Sequence, residues 1–301
     1  MSATPFHKHD RLSTLFRSNI WVKRDDLQDV RSFKIRGAFN RISLLTEDER
    51  KNGIVCSSAG NHAQGVAYAC NYHKIHGTIF MPSPTPSQKV SQVSMFGGKN
   101  ITIKIVGDIY DDSYEASLVY SKKHKKTFIH PFDDEDVIIG QGTMALEILN
   151  QSFFPIDYLL VPIGGGGLIS GMINVFKQKS PKTRIIGIEP KGAPSMYESM
   201  RQNKRITLDR IDNFVDGAAV KTIGKISFDY CSKFLDDIVI VDEGEICQNI
   251  LTMYNNDAII VEPAGAMSIT GLNKMSKSIK DKNVVCFCLL YTSPSPRDGL
   301  L

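Results

Sequence analysis

Tyr158-Leu159-Leu160-Val161-Pro162-Ile163-Gly164-Gly165-Gly166-Gly167-Leu168 is the stretch from which the fold can be read. Its first six residues are almost all apolar, the pattern and length of a buried strand. Four glycines follow, and a helix-like segment runs on from Leu168. A strand passing through a glycine loop into a helix is the building unit of an α/β protein with parallel sheets. Consecutive glycines let backbone N–H groups turn inward, and the helix behind them adds its positive end, so this loop suits a phosphate. No Gly-Lys-Ser/Thr follows, and the spacing is not that of a dinucleotide fingerprint. A tight turn with close helix–strand packing would need only one or two of the glycines.

Outward from this stretch the same rhythm repeats. Strands are expected at 20–23, 53–57, 78–81, 101–106, 127–129, 158–163, 184–188, 238–241 and 283–288. Helices are expected from Lys34 through Leu45 and at 62–73, 87–96, 113–123, 143–150, 168–177, 195–202, 243–255 and 265–275. Such alternation predicts an α/β fold of two lobes, each a mostly parallel sheet flanked by helices. The lobes are expected at 1–52 with 131–290, which is the larger, and at 53–130, inserted, with 291–301 as a foreign or disordered tail. No long Gly/Ser/Pro linker separates them, and Pro82-Ser83-Pro84-Thr85-Pro86 reads as a rigid connector into a helix.

Composition excludes several classes of function. The chain has 301 residues, 42% hydrophobic and 23% charged, as an ordinary globular protein does. Its net charge of +4, from 36 basic and 32 acidic residues, is spread along the chain and does not call for nucleic acid. The densest basic run, Lys122-Lys123-His124-Lys125-Lys126, falls where a helix is expected to end, a place that favours cations. No apolar run approaches the roughly 20 residues of a membrane-spanning helix, and no signal-peptide core is present, so a cytoplasmic address and no membrane partner are expected. Cys56, Cys70, Cys231, Cys247, Cys286 and Cys288 lack the paired spacing of a zinc site and read as small core residues, with no metal.

Two further stretches carry chemistry. Arg31-Ser32-Phe33-Lys34-Ile35-Arg36-Gly37-Ala38 puts a lysine where a loop enters a helix. A lysine amine reacts with carbonyl groups only in its neutral form, which nearby positive charge favours, and Arg31 and Arg36 flank it. Phe33 could add an apolar wall. Taken alone, these eight residues also describe a basic, solvated helix start. Ser57-Ser58-Ala59-Gly60-Asn61-His62 follows a strand and enters a helix, presenting N–H groups, a hydroxyl and an amide to an anion such as a carboxylate. His62 is read as a helix-start residue and not as an acid–base group. A reactive lysine, a phosphate cup and a carboxylate cup are together the parts needed for pyridoxal phosphate acting on an amino acid.

Arg31 to Ala38, Ser58-Ala59-Gly60-Asn61-His62-Ala63-Gln64-Gly65 and Gly164 to Leu168 together resemble the threonine dehydratases (threonine ammonia-lyases) of the tryptophan-synthase-β-like class. The resemblance runs from about Thr4-Pro5 to Cys288, and Val215 to Val220 and Glu262 to Ala266 are similar to family segments as well. It implies the two-lobed fold of that class, pyridoxal 5'-phosphate as cofactor, and an assembly of two or four copies. It further implies that Lys34 carries the cofactor and acts as catalytic base. Gly164, Gly165, Gly166, Gly167 and Leu168 would bind the phosphate, and Asn61 the ring hydroxyl. Ser58, Gly60, Asn61 and His62 would bind the substrate carboxylate. The implied reaction deaminates L-threonine to 2-oxobutanoate and ammonia, with serine as secondary substrate, early on the way to isoleucine. Serine racemases share all three motifs but carry a serine where this chain has Ala59, and a methyl group transfers no proton. The resemblance therefore favours elimination over racemisation, over other β-replacement chemistry and over a phosphate-ligand-binding role without catalysis.

Two departures accompany the resemblance. The family's Ser-Gly-Gly segment, expected after the last strand to face the cofactor ring nitrogen, is absent after Cys288, where Leu289-Leu290-Tyr291-Thr292-Ser293 stands. Ser293 and Ser295 come too late to take that role. The chain reads as a fragment, shortened at both ends and joined to foreign sequence, with no regulatory domain.

Overall fold

The computed structural model describes residues 2–289. In chain order its elements are β1 (Phe6–Lys8), α1 (Asp10–Phe16), β2 (Asn19–Arg24), α2 (Lys34–Ser43), α3 (Glu47–Asn52), β3 (Ile54–Ser57), α4 (Asn61–His73) and β4 (Gly77–Met81). Next come α5 (Ser87–Gly97), β5 (Ile101–Ile105), α6 (Tyr110–Lys123), β6 (Thr127–Phe128), α7 (Glu135–Gln151), β7 (Tyr158–Pro162) and α8 (Gly167–Lys179). The remainder are β8 (Arg184–Pro190), α9 (Ser195–Arg201), α10 (Lys225–Phe234), β9 (Asp237–Val241), α11 (Glu243–Asp257), α12 (Pro263–Met275) and β10 (Asn283–Cys288). The chain divides into two compact units, one running up to Phe33 and again from Gln141, the other Lys34–Gly140.

The first unit is built on a six-stranded sheet of order β1-β2-β10-β7-β8-β9, in which β1 is antiparallel to β2 and the other pairs are parallel. β10 shows why its sequence is apolar throughout. Val284, Cys286 and Cys288 join one apolar cluster with Leu160, Ile186 and α12, whereas Val285 and Phe287 join another with Leu159, Val161 and α8. The side-chain period of two thus feeds opposite faces of a sheet buried on both. The cysteines here are core residues, and burial pushes the thiols of Cys286 and Cys288 well up. Of the six, Cys247 on α11 is exposed.

The second unit has a four-stranded, wholly parallel sheet of order β5-β4-β3-β6. Ala38 and Ile42 of α2, Ala63, Val66, Ala67 and Cys70 of α4 and Val93 of α5 cluster with Ile54, Cys56 and Ile79 of the sheet. The helix α6 instead presents buried Ser113, Ser117 and Ser121, small residues at successive turns, and Ser57 Oγ lies 3.2 Å from Ser113 Oγ. This unit reaches beyond the 53–130 segment expected from the strand rhythm, because α2 and the start of α7 pack into it. A Cβ on Gly65 of α4 would stand 3.0 Å from the backbone N and Cα of Ile35, and one on Gly140 of α7 would stand 2.5 Å from the Arg36 carbonyl oxygen. Glycine at both crossings lets α2 lie close.

The elements that periodicity missed are short or bury few residues: β1, three residues at a sheet edge, and α1, α3 and α10, of which α3 buries no residue and α10 buries Ser227 and Cys231. The tail at 291–301, with Ser293 and Ser295, lies outside the described residues. Among the described residues no helix is long and apolar enough to cross a membrane, and no metal-holding cluster of His, Cys, Asp and Glu occurs.

Candidate active site

Lys34 is the first residue of α2, so the expected loop-to-helix junction is where the structure has it. Its side chain is half-buried, and Nζ donates to the Pro131 carbonyl oxygen at 2.9 Å. The Phe132 ring centroid is 6.0 Å from Nζ. Of the flanking arginines, Arg31 is exposed in left-handed backbone (φ 59°), and Arg36 is two residues along the same helix, a spacing that points side chains to different faces. Phe33 packs into the apolar cluster of its own unit around α8.

Two imidazoles feel the charge of the amine. His62, in the first turn of α4, has Nε2 3.0 Å from the Ile129 carbonyl oxygen. A carbonyl can only accept, so Nε2 carries the proton and Nδ1 is a lone pair, buried and, among the described residues, without a hydrogen-bond partner. Burial first and the charge of Lys34 second pull His62 down to about 3, so the ring is neutral. His130 has Nδ1 accepting the N–H groups of Phe132 (3.2 Å) and Asp133 (2.8 Å), and its ring meets Phe132 edge-on at 4.7 Å. It is pulled down to about 4, chiefly by burial, with Asp133 opposing and Lys34 assisting.

The same unit holds the stretch expected to take a carboxylate. Ser58 N–H donates to Phe80 O at 3.1 Å where β3 ends, and Ser58 Oγ accepts the Gly60 N–H at 3.1 Å, which closes the turn. The first intrahelical bond of α4 is Gln64 N–H to Gly60 O, so the N–H groups of Asn61, His62 and Ala63 fall at the helix start where an anion is favoured. Ser58, Gly60 and Asn61 are half-buried. The His62 ring has no donor left for a carboxylate, so its contribution there is its backbone N–H. Gly65, four residues on, holds the Lys34 end of α2 against this helix, with Lys34 C 3.1 Å from where its Cβ would be.

The other unit holds the glycine loop. Between β7 and α8, Gly166 takes φ +92°, and Ser170 anchors the helix start through N–H (3.0 Å) and Oγ (2.8 Å) to Gly166 O. A Cβ on Gly164 would come 2.9 Å from Ala218 Cα, and one on Gly166 2.5 Å from Ser227 Cβ. Gly224 N–H donates to Gly165 O at 3.1 Å. Close packing therefore accounts for Gly164 and Gly166, while the start of α8 at Gly167 and Leu168 keeps the N–H groups that suit a phosphate. The two further family-like segments flank this loop: Val215–Val220 meets Gly164 through Ala218, and Glu262, buried, has its carboxylate oxygens 3.6 Å from where a Gly217 Cβ would stand. Lys34, Ser58, Gly60, Asn61 and His62 thus fall in one unit and Gly164 to Leu168 in the other.

Sequence reasoning passed over His130, Pro131 and Phe132, which line the lysine amine. The signal was a histidine followed by proline, an aromatic residue and two acids at a strand end, a turn-forming string of residues. It also passed over Glu189 at the end of β8, fully buried, whose two carboxylate oxygens each accept an N–H at 2.8 Å, from Met196 and Tyr197 at the start of α9. Burial pushes Glu189 up to about 8 against those two donors.

A family model described as pyridoxal-phosphate dependent enzyme matches residues 1–289. The chain is 54% identical over 283 residues to the biosynthetic L-threonine dehydratase IlvA of Halalkalibacterium halodurans, covering 94% of this chain and 68% of that protein. To the protein of the same description in Bacillus subtilis it is 50% identical over 283 residues, covering 94% and 67%. Among solved structures, the processed form of threonine deaminase isoform 2 from Solanum lycopersicum superimposes with a TM-score of 0.93 at 36% identity, covering 99% of this chain and 86% of that one. Maize serine racemase superimposes with a TM-score of 0.91 at 29% identity, covering 99% and 91%.

Proposed function

The chain belongs to the pyridoxal-phosphate dependent enzymes, and from that premise we propose that it is a threonine ammonia-lyase, converting L-threonine to 2-oxobutanoate and ammonia, with serine as secondary substrate. The observation that carries the proposal is the close crossing of α2 and α4 at Gly65, which sets a half-buried lysine amine beside a helix start suited to a carboxylate. Sequence identity of 50% or more to two biosynthetic threonine dehydratases supports the substrate and a place early in isoleucine synthesis. The likeness to both a threonine deaminase and a serine racemase leaves the fold neutral between elimination and racemisation. Ala59 decides for elimination, since it offers no proton donor on a second face.

The residues present fit the cofactor: a helix start at Gly167 and Leu168 whose N–H groups suit a phosphate, and a half-buried amine with the Phe132 ring centroid 6.0 Å away. When bound, pyridoxal phosphate supplies an aldehyde that condenses with amino groups and a ring that takes up the electron pair left by the α-proton. The backbone of Gly164 to Leu168 holds the phosphate and Asn61 meets the ring hydroxyl. The Ser58 hydroxyl and the N–H groups of Asn61 and His62 would orient the substrate carboxylate, with Gly60, its own N–H held by Ser58 Oγ, shaping the turn beside it. Lys34 would hold the cofactor through its amine and, when that amine is free, would take the α-proton at Nζ, for which it must be tuned from about 10.4 towards roughly 7 to 8. The β-hydroxyl leaves as water, and the released enamine tautomerises and is hydrolysed, which consumes one water and frees ammonia. A cytoplasmic, homo-oligomeric enzyme completes the reading, the assembly being measurable by light scattering.

Adding pyridoxal phosphate to the chain should give an absorbance band near the visible edge that Lys34→Ala abolishes, and L-threonine should then yield 2-oxobutanoate. A band accompanied by D-threonine, or by no product, sinks the lyase reading.

A further inference from the structure

We infer that His130 is a positioning residue for Lys34, its imidazole fixing the turn that aims the Pro131 carbonyl at the lysine amine. This rests on the reading of Lys34 as the cofactor-carrying base. Behind β6, Ile129 N–H is still tied to Val55 O at 2.8 Å, so the turn begins on a fixed strand end. His130 Nδ1 then accepts the N–H groups of both Phe132 and Asp133, closing a loop around Pro131. Proline has no N–H and a restricted φ, so the direction of its carbonyl is set by that loop. The carbonyl oxygen lies 2.9 Å from Lys34 Nζ.

The consequence is chemical. A carbonyl oxygen binds an ammonium more strongly than a neutral amine, because a charged donor makes the stronger hydrogen bond. Pro131 O therefore stabilises Lys34 as it gains the α-proton: the C–H bond breaks, the N–H bond forms, and the electron pair stays with the carbon framework. Only an unprotonated Nδ1 can hold the loop. The titratable groups that act on His130 and Lys34 include Asp133, Asp134, His62 and each other, with the Tyr114 ring centroid 6.4 Å from that of His130. Burial keeps His130 neutral at the pH where the amine works.

The test uses the full chain without cofactor and follows the rate of pyridoxal phosphate condensation by absorbance from pH 6 to 9. That rate reports the fraction of neutral amine, independently of turnover. His130→Leu removes the acceptor and should move the apparent pKa of the amine to lower pH by about one unit. His130→Asn should recover most of that shift, because an asparagine oxygen can accept the same two N–H groups. Should His130→Leu not fold, Pro131→Gly, which keeps the carbonyl but frees its direction, is expected to shift the profile the same way. A His130→Leu (or Pro131→Gly) profile superimposed on the wild type, or an Asn variant displaced as far as the Leu variant, overturns the inference. If Lys34→Ala abolishes the band while His130→Leu leaves the profile in place, this inference alone falls. If the unaltered chain gives no band, the reading of Lys34 falls with it.

Discussion

The two units solve different problems with the same residue type. On the proposed reading the working groups in Lys34–Gly140 are side chains, Lys34, Ser58 and the His130 turn, and the glycines stand away from them at helix crossings, where Gly65 and Gly140 let α2 approach. In the other unit the working groups are backbone N–H groups, and the glycines are in the loop itself, where Gly166 needs a left-handed φ of +92°. Glycine in the first case sets where a side chain is. In the second it is the binding surface. Substitutions should therefore separate the two: one class should change rate, the other cofactor affinity.

The largest effect is expected at Gly166. Alanine there meets both a disfavoured backbone conformation and Ser227, with Cβ 2.5 Å from Cβ. Gly166→Ala should cost about 2 kcal/mol of stability and weaken pyridoxal phosphate binding by roughly 10- to 100-fold, as displaced N–H donors do. Denaturant melts and cofactor titration measure the two. An unchanged affinity would make the loop a packing device only. Gly65→Ala is the contrasting case. Its Cβ would press on Ile35 at 3.0 Å, so α2 must give by a few tenths of an ångström and carry Lys34 with it. The expected loss is about 10-fold in kcat, with stability changed by less than about 1 kcal/mol because alanine is the better helix former. Equal losses in cofactor affinity and in kcat would erase the distinction between the units.

How legible each unit was follows from the same difference. The glycine loop could be read directly, because a strand, four glycines and a helix are contiguous, and backbone chemistry needs no partner from elsewhere in the chain. Lys34 could be named, but its surroundings could not: Pro131 is 97 residues away in sequence, and only the parallel sheet brings it back to the amine. Arg31 and Arg36 were adjacent in sequence and drew the inference that neighbouring charge tunes the lysine. Arg36 stands two residues along the helix, a spacing that points side chains to different faces, and the imidazoles of His62 and His130, which feel the amine's charge, come from distant parts of the sequence. The role of Gly65 was equally hidden, since a glycine inside a helical pattern shows its purpose only when the second helix is in place. The sheets were legible because β10 and β7 are buried on both faces. The one antiparallel edge, β1, was not, being three residues long.

The smallest effect is expected in the pH dependence of stability, because the buried imidazoles and the buried carboxyl titrate in opposite senses. His62 and His130 are held below the ordinary 6.5, at about 3 and about 4. The unfolded chain binds their protons first, so their contribution is present above pH 6.5 and is lost as pH falls through those lower values. His7, His9, His73 and His76 are lowered too, mainly by burial, and act in the same direction. Glu189 is held above the ordinary 4.5, at about 8. Here the folded chain keeps the proton longer, so stability is highest below pH 4.5 and is lost as pH rises towards 8. Between pH 4.5 and 6.5 the carboxyl offsets about one proton of what the imidazoles take up, so the stability of the unaltered chain should fall towards acid less steeply than the imidazoles alone would make it. Glu189→Gln should remove the offset and steepen the loss towards acid by up to about 1.4 kcal/mol per pH unit, the limit for one proton. His130→Asn should flatten it. Melting at pH 5, 6, 7 and 8 reads both slopes, and the slope rather than the midpoint is the test, because a glutamine can accept only one of the N–H groups of Met196 and Tyr197 and will lower the midpoint at every pH. Parallel curves for the unaltered chain and Glu189→Gln would mean that the buried carboxyl stays ionised on its two donors, and that the imidazoles alone set the pH dependence.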